Sequence, residues 1–175
     1  MTRVGSRLPH LAPRRAWLAT AIGLAALMGL TGCGARDPAP RFSYTLLDGA
    51  KSSTDALRGK VVLVNFWATS CVSCVKEMPA IVATYKKFQS RGFETLAVAM
   101  SYDPPAYVAH FAQSRQLPFG VVIDNTGAIA KAFSDVRLTP TTYLIDKKGA
   151  IAKRYIGEPD FAAVHALVEK LLAEA

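Results

Sequence analysis

The chain has 175 residues, 51% of them hydrophobic, and a formal net charge of +8. That length suits one compact domain plus a leader, and the composition supports a packed core and excludes wholesale disorder. Arg3, Arg7, Arg14 and Arg15 crowd the N-terminus, and without them 17 basic residues face 13 acidic ones; no dense Lys/Arg run is interleaved with aromatics, so nucleic acid is not an expected partner.

The first element in chain order is a leader. A basic stretch from Arg3 to Arg15 precedes an apolar run from Ala16 to Leu30, about 15 residues against the ~20 of a membrane-spanning helix. It ends in Leu30-Thr31-Gly32-Cys33, which resembles a bacterial lipobox. Residues 1–32 are therefore expected to form a lipoprotein signal peptide, with Cys33 the lipidated first residue of the mature protein. An uncleaved signal anchor, with Cys33 incidental, is the alternative. Export would put the remaining cysteines, Cys71 and Cys74, where disulfides persist. Residues 33–41 read as a lipidated tether: Gly34–Arg41 contains proline, lacks apolar periodicity and reaches at most ~28 Å when extended.

Residues 42–175 read as one domain. Phe42–Leu46 is an expected strand, followed by a turn at Asp48-Gly49. Val61–Phe66 is a continuous β-branched run, as in a strand buried on both faces. From Cys71 to about Ser90, Val75, Met78, Ile81, Val82, Tyr85 and Phe88 recur at spacings of three and four, giving an amphipathic helix stopped by Arg91-Gly92. Thr95–Met100 is a second buried strand. A short helix runs from Pro104-Pro105 to about Arg115, a strand follows at Phe119–Asp124, and another short helix at Gly127–Phe133. Thr141–Asp146 and Ile151–Ile156 flank Lys147-Lys148-Gly149 as a hairpin, and a last helix follows Glu158-Pro159-Asp160. This alternation predicts an α/β fold, a central sheet made mixed by the closing hairpin and covered by helices on both faces.

Chemistry concentrates in Asn65-Phe66-Trp67-Ala68-Thr69-Ser70-Cys71-Val72-Ser73-Cys74, where a buried strand leads through a short loop into a Cys-x-x-Cys at a helix start. Unpaired N–H groups and the helix dipole there favour a thiolate at Cys71, and thiolate is the attacking species. Cys74, one turn further in, is placed to resolve a mixed disulfide formed at Cys71. Half of a zinc site has the same spacing. No second cysteine pair exists, however, and His10, His110 and His165 lack ligand spacing, so no metal is expected.

The segment NFWATSCVSCVKEMP resembles the active site of thioredoxin-like proteins, specifically the TlpA/ResA/CcmG-like branch, and the resemblance runs from about Phe42 to Ala173. Phe66-Trp67-Ala68 precedes the motif, and Pro79 falls five residues after Cys74, where the thioredoxin helix carries a proline. Glu77 matches an acidic residue of the branch, and Thr139-Pro140 with the following strand matches the family's cis-proline segment. The resemblance implies a thioredoxin-like fold with an N-terminal strand extension and a helix–strand insertion within Ser101–Arg137. It further implies a membrane-anchored periplasmic disulfide reductase with no cofactor beyond the Cys71–Cys74 disulfide, reducing protein substrates such as apocytochrome c or copper-site cysteines. Recharging by a membrane thiol-electron donor and a monomeric state are expected with it. Trp67, Thr139 and Pro140 are the implied substrate-groove residues. Asn65 stands where thioredoxin has a buried Asp; Asn cannot accept a proton, which leaves Glu77 as the candidate base for Cys74. Ser70 and Val72-Ser73 also depart from the usual motif and leave the redox potential open.

Several alternatives stand beside these readings. Glu77 is otherwise a solvated helix residue, Trp67 a packing residue and Pro140 an ordinary trans turn proline. A thiol oxidant on the same fold, a thiol peroxidase and a copper-binding module are the rival functions; the sequence lacks the Pro-x-x-x-Thr-x-x-Cys surround of the second and a suitably placed histidine for the third.

Overall fold

The computed structural model describes residues 36–174, together with residues 1, 2 and 5. Two units are distinguished, Met1–Ala35 and Arg36–Ala175. Most of the expected signal segment, and the expected lipidation site Cys33, lie outside the described residues. Among the described residues no helix is long and apolar enough to cross a membrane.

The second unit opens with a small antiparallel hairpin, β1 (Ser43–Thr45) and β2 (Lys51–Ser53), in which Tyr44 pairs with Ser52. Only the first of these strands is expected from the sequence. Lys51-Ser52-Ser53 has neither alternation nor β-branching, and its strand geometry comes from its partner. A bridge from Leu46 to Val122 ties the hairpin to the main sheet. A 3₁₀ turn at Thr54–Leu57 leads into β3 (Val61–Trp67), buried at all seven positions. Then come α1 (Val72–Phe88), β4 (Phe93–Ala99), α2 (Pro105–Ser114), β5 (Gly120–Ile123) and α3 (Ala128–Ala132). The chain closes with β6 (Thr141–Ile145), β7 (Ile151–Ile156) and α4 (Phe161–Ala173).

The main sheet has the order β5-β4-β3-β6-β7. β3, β4 and β5 run parallel, while β6 and β7 are antiparallel to their neighbours, which is the mixed sheet expected. Alternation along β3 divides two cores. Val61, Leu63 and Trp67 pack with Met78 and Ile81 of α1, Val108 of α2, and Val164, Val168 and Leu171 of α4. Val62, Val64 and Phe66 pack on the opposite face with Tyr44, Ile129, Phe133 and Tyr143. Phe133 is the hinge of the second core: its ring lies 5.3 Å from Phe66 and 4.9 Å from Tyr143, whose hydroxyl donates to the Phe133 carbonyl. By the same parity Asn65 points toward α1, and Thr142, its register partner on β6, points the same way.

Residues 36–41, read from the sequence as part of a lipidated tether, lie against the domain. Arg36 bridges Asp146 and Glu174, the Ala39 amide donates to the Gly149 carbonyl, and the Ile151 amide donates to that of Asp37. The partners of Arg36, Asp37 and Ala39 come from the β6–β7 turn, the start of β7 and the end of α4, more than a hundred residues away, so local composition carries no trace of them.

Candidate active site

β3 delivers the site. Its last residue, Trp67, is followed by a turn in which the Cys71 amide donates to the Ala68 carbonyl, and α1 begins at Val72 with Cys71 as its N-cap. Cys71 is disulfide-bonded to Cys74, and its sulfur accepts from the Cys74 amide at 3.2 Å, using one of the helix's free N–H groups. The Ser73 hydroxyl lies 3.4 Å from the same sulfur. The two cysteines differ in access: Cys71 is half-buried, Cys74 is 0% exposed. A helix that starts at the dithiol rotates position 71 outward and position 74 onto the sheet.

Glu77 follows Cys74 on the same buried stripe and is 1% exposed, which removes its reading as a solvated helix residue. Its Oε1 accepts from Asn65 Nδ2 at 2.9 Å, and that amide also donates to Thr142 Oγ1 at 2.9 Å. Asn65 Oδ1 and Glu77 Oε2 have no hydrogen-bond partner among the described residues. Burial pushes the Glu77 carboxyl up to about 7; the Asn65 hydrogen bond opposes that rise, and the charge of Glu158 adds to it.

The cis-proline loop meets the dithiol loop at one end of the sheet. Pairing of Phe66 with Thr141 sets Pro140 level with Trp67, where the chain leaves β3 for Cys71. The Thr139–Pro140 peptide bond is cis, as the resemblance implies, and Pro140 is buried while Thr139 is half-buried. Exposed apolar side chains belong to both loops: Val72, 84% exposed, beside Cys71, and Leu138 beside Thr139. Tyr102, also exposed, reaches the Thr139 hydroxyl at 3.3 Å from the β4–α2 turn.

Trp67 does not line this groove. It is fully buried, with its ring 5.0 Å from Phe111 of α2, because its parity on β3 directs it into the first core. The groove role expected for it is corrected to a packing role. Asp103 joins the site from a different loop: it is 2% exposed and accepts from both the amide and the hydroxyl of Thr69 at 2.6 Å. An Asp before Pro-Pro reads as an ordinary helix entry, so nothing local marks it. Among the described residues no cluster of His, Cys, Asp and Glu could hold a metal ion.

Comparison with known proteins gives a consistent set. The family model for redoxin matches residues 34–169. Thiol-disulfide oxidoreductase ResA of Bacillus thuringiensis subsp. konkukian (strain 97-27) is 37% identical over 100 residues, which is 57% of this chain and 57% of that protein. The same-named protein of Bacillus subtilis (strain 168) is 36% identical over 95 residues, 54% of this chain and 52% of that one. These matches thus span little more than half the length of the curated relatives. Among solved structures, one described as a thioredoxin from Neisseria meningitidis is 39% identical with a TM-score of 0.74, covering 81% of this chain and 93% of that chain. A thiol:disulfide interchange protein of the thioredoxin family from Chlorobium tepidum TLS is 28% identical with a TM-score of 0.74, covering 81% of this chain and all of that one, 100%. The fold is therefore thioredoxin-like.

Proposed function

The chain belongs to the redoxin family, in the ResA-like branch of the thioredoxin fold, and on that premise we propose that it is a thiol–disulfide oxidoreductase that reduces protein disulfides through Cys71 and Cys74. The observation that carries the reading is the asymmetry of the pair: a half-exposed N-cap cysteine joined to one with no exposure. In the reduced protein the Cys71 thiolate attacks a substrate disulfide. One S–S bond breaks, one forms to Cys71, and the first substrate thiolate leaves. Glu77 takes the proton of Cys74, whose thiolate then attacks Cys71 Sγ, regenerates the Cys71–Cys74 disulfide and expels the second substrate thiolate. Two electrons have passed to the substrate, and a dithiol donor at the membrane must return them. Thr139 and Pro140 supply the loop beside which an extended substrate segment would lie.

Cys74→Ser is expected to trap mixed disulfides with substrate proteins, and Cys71→Ser to trap none; trapping by the second variant alone would overturn the assignment of roles. Direction is read from the reduction potential of the couple. A value near thioredoxin's ~−270 mV fits a reductant, and one near DsbA's ~−120 mV makes the protein an oxidant.

Anchoring is the second part of the proposal. Leu30-Thr31-Gly32-Cys33 is the support for a lipid-bearing Cys33 and hence for a periplasmic protein held at a membrane. Cys33→Ala should release the protein from the membrane fraction and block processing. A variant that is processed and membrane-bound like wild type rules the lipid anchor out.

A further inference from the structure

At the C-terminal ends of β3 and β4, four hydrogen bonds close a ring. The Met100 amide donates to the Trp67 carbonyl at 3.0 Å, extending the β3–β4 pairing by one residue. The Asp103 amide donates to the Met100 carbonyl at 2.9 Å, which folds the following turn back over the strand ends. That turn brings the Asp103 carboxylate under the dithiol loop, where Oδ2 accepts from the Thr69 amide and Oδ1 from the Thr69 hydroxyl, both at 2.6 Å. Asp103 is 2% exposed, so this side chain has left water for these two contacts. Thr69 lies inside the Ala68–Cys71 turn that sets the N-cap position of Cys71.

We propose that Asp103 is a positioning residue for the dithiol: by gripping Thr69 at two atoms it fixes the turn that aims Cys71 and holds it in register with Cys74. The inference rests on the oxidoreductase reading for its purpose, but the geometry it predicts is measurable without a physiological substrate. The step most sensitive to that geometry is resolution. Attack of Cys74 on a mixed disulfide at Cys71 is intramolecular, and its speed depends on how well the two sulfurs are held. Misplacement by about 1 Å can slow such a step about a hundredfold.

The resemblance of the family's motif does not supply this contact, because Asp103 sits 34 residues from Thr69 in a different loop. Charge alone is also not its role. Asparagine at the same place can keep both contacts, its Oδ1 accepting from the Thr69 amide and its Nδ2 donating to the Thr69 hydroxyl oxygen. Alanine keeps neither. The conservative and the truncating substitutions therefore separate grip from charge.

The test is oxidation of the reduced, full-length protein by glutathione disulfide, a probe that yields the Cys71–Cys74 disulfide and two glutathione thiols. Asp103→Ala is expected to resolve the Cys71–glutathione mixed disulfide about ten- to a hundredfold more slowly, so that this adduct accumulates and is seen by mass spectrometry. Asp103→Asn is expected to stay within about threefold of wild type. Thr69→Ala deletes only the hydroxyl arm and should fall between them, which keeps the test decisive if Asp103→Ala does not fold. Wild-type resolution in folded Asp103→Ala, or in Thr69→Ala where the first variant is unfolded, overturns the proposal. So does an Asp103→Asn variant as slow as Asp103→Ala. A wild-type protein that reacts with glutathione disulfide in this manner but reduces no protein disulfide sinks the protein-disulfide reductase reading and leaves the positioning role standing.

Discussion

At the scale of single residues, Glu77 is where burial does most to the chemistry. A carboxylate one turn along from a cysteine is visible in the sequence, but its exposure of 1% is not. The sign of its effect on stability follows from burial. In the folded protein its carboxyl titrates at about 7, against an ordinary value of 4.5. Between those values the folded state binds more protons than the unfolded one, so stability falls as pH rises through this window. A shift of that size corresponds to a cost on the order of 3 kcal/mol when Glu77 is ionised. Glu77→Gln should therefore be more stable than wild type above pH ~7, with the difference shrinking toward zero near pH ~4, as read from urea midpoints across pH. The same variant should lose the pH dependence of Cys74 attack near neutrality. A wild-type pH–rate profile in Glu77→Gln would remove the proton-acceptor role proposed for it. Asn65 changes meaning too. In the sequence it is only the absence of thioredoxin's proton-carrying carboxylate, whereas in the structure its amide holds Glu77 on one side and Thr142 on the other.

At the scale of elements, the strongly periodic segments were legible and the polar ones were not. β3 and α1 fall within one or two residues of their expected positions, because seven buried positions and an i, i+3, i+4 stripe leave few alternatives. The stripe itself shifts: Cys74, Glu77 and Thr84 share the buried face with Met78, Ile81 and Phe88. Helix periodicity reads apolar positions only, and the sheet beneath α1 offers Asn65 as a partner for a polar one. β2 is invisible in the sequence for the complementary reason. Its residues have no preference of their own and become a strand by pairing with β1. Trp67 shows the converse error. A large aromatic beside a reactive cysteine suggests a groove wall, but strand parity sends it inward against Phe111.

At the scale of the whole molecule, residues 36–41 and the dithiol sit at opposite ends of the sheet. β6 starts beside the dithiol loop and ends next to Asp146, which with Glu174 grips Arg36. Lys147 reinforces that end by donating to the carbonyls of Leu172 and Glu174. Arg36 and Glu174 keep contact with water, so the bridge is screened and worth about 1 kcal/mol or less. Arg36→Ala should lower the urea midpoint slightly and leave the rate of oxidation by glutathione disulfide unchanged. A slowed rate would mean that the two ends are coupled. What the sequence determined by itself was the order of the helices and of the main-sheet strands, the α/β class and the redox pair, because hydrophobic period and cysteine spacing act over a few residues and are written in consecutive positions. Only the tertiary structure decided that Glu77 is buried against Asn65, that Asp103 grips Thr69, that Trp67 is core and that residues 36–41 are docked. Each of these depends on groups 12 to 138 residues apart in the chain, brought together by β-pairing and core packing and, for the polar contacts, by the need of buried polar atoms for partners; no local pattern encodes which distant group a side chain will meet.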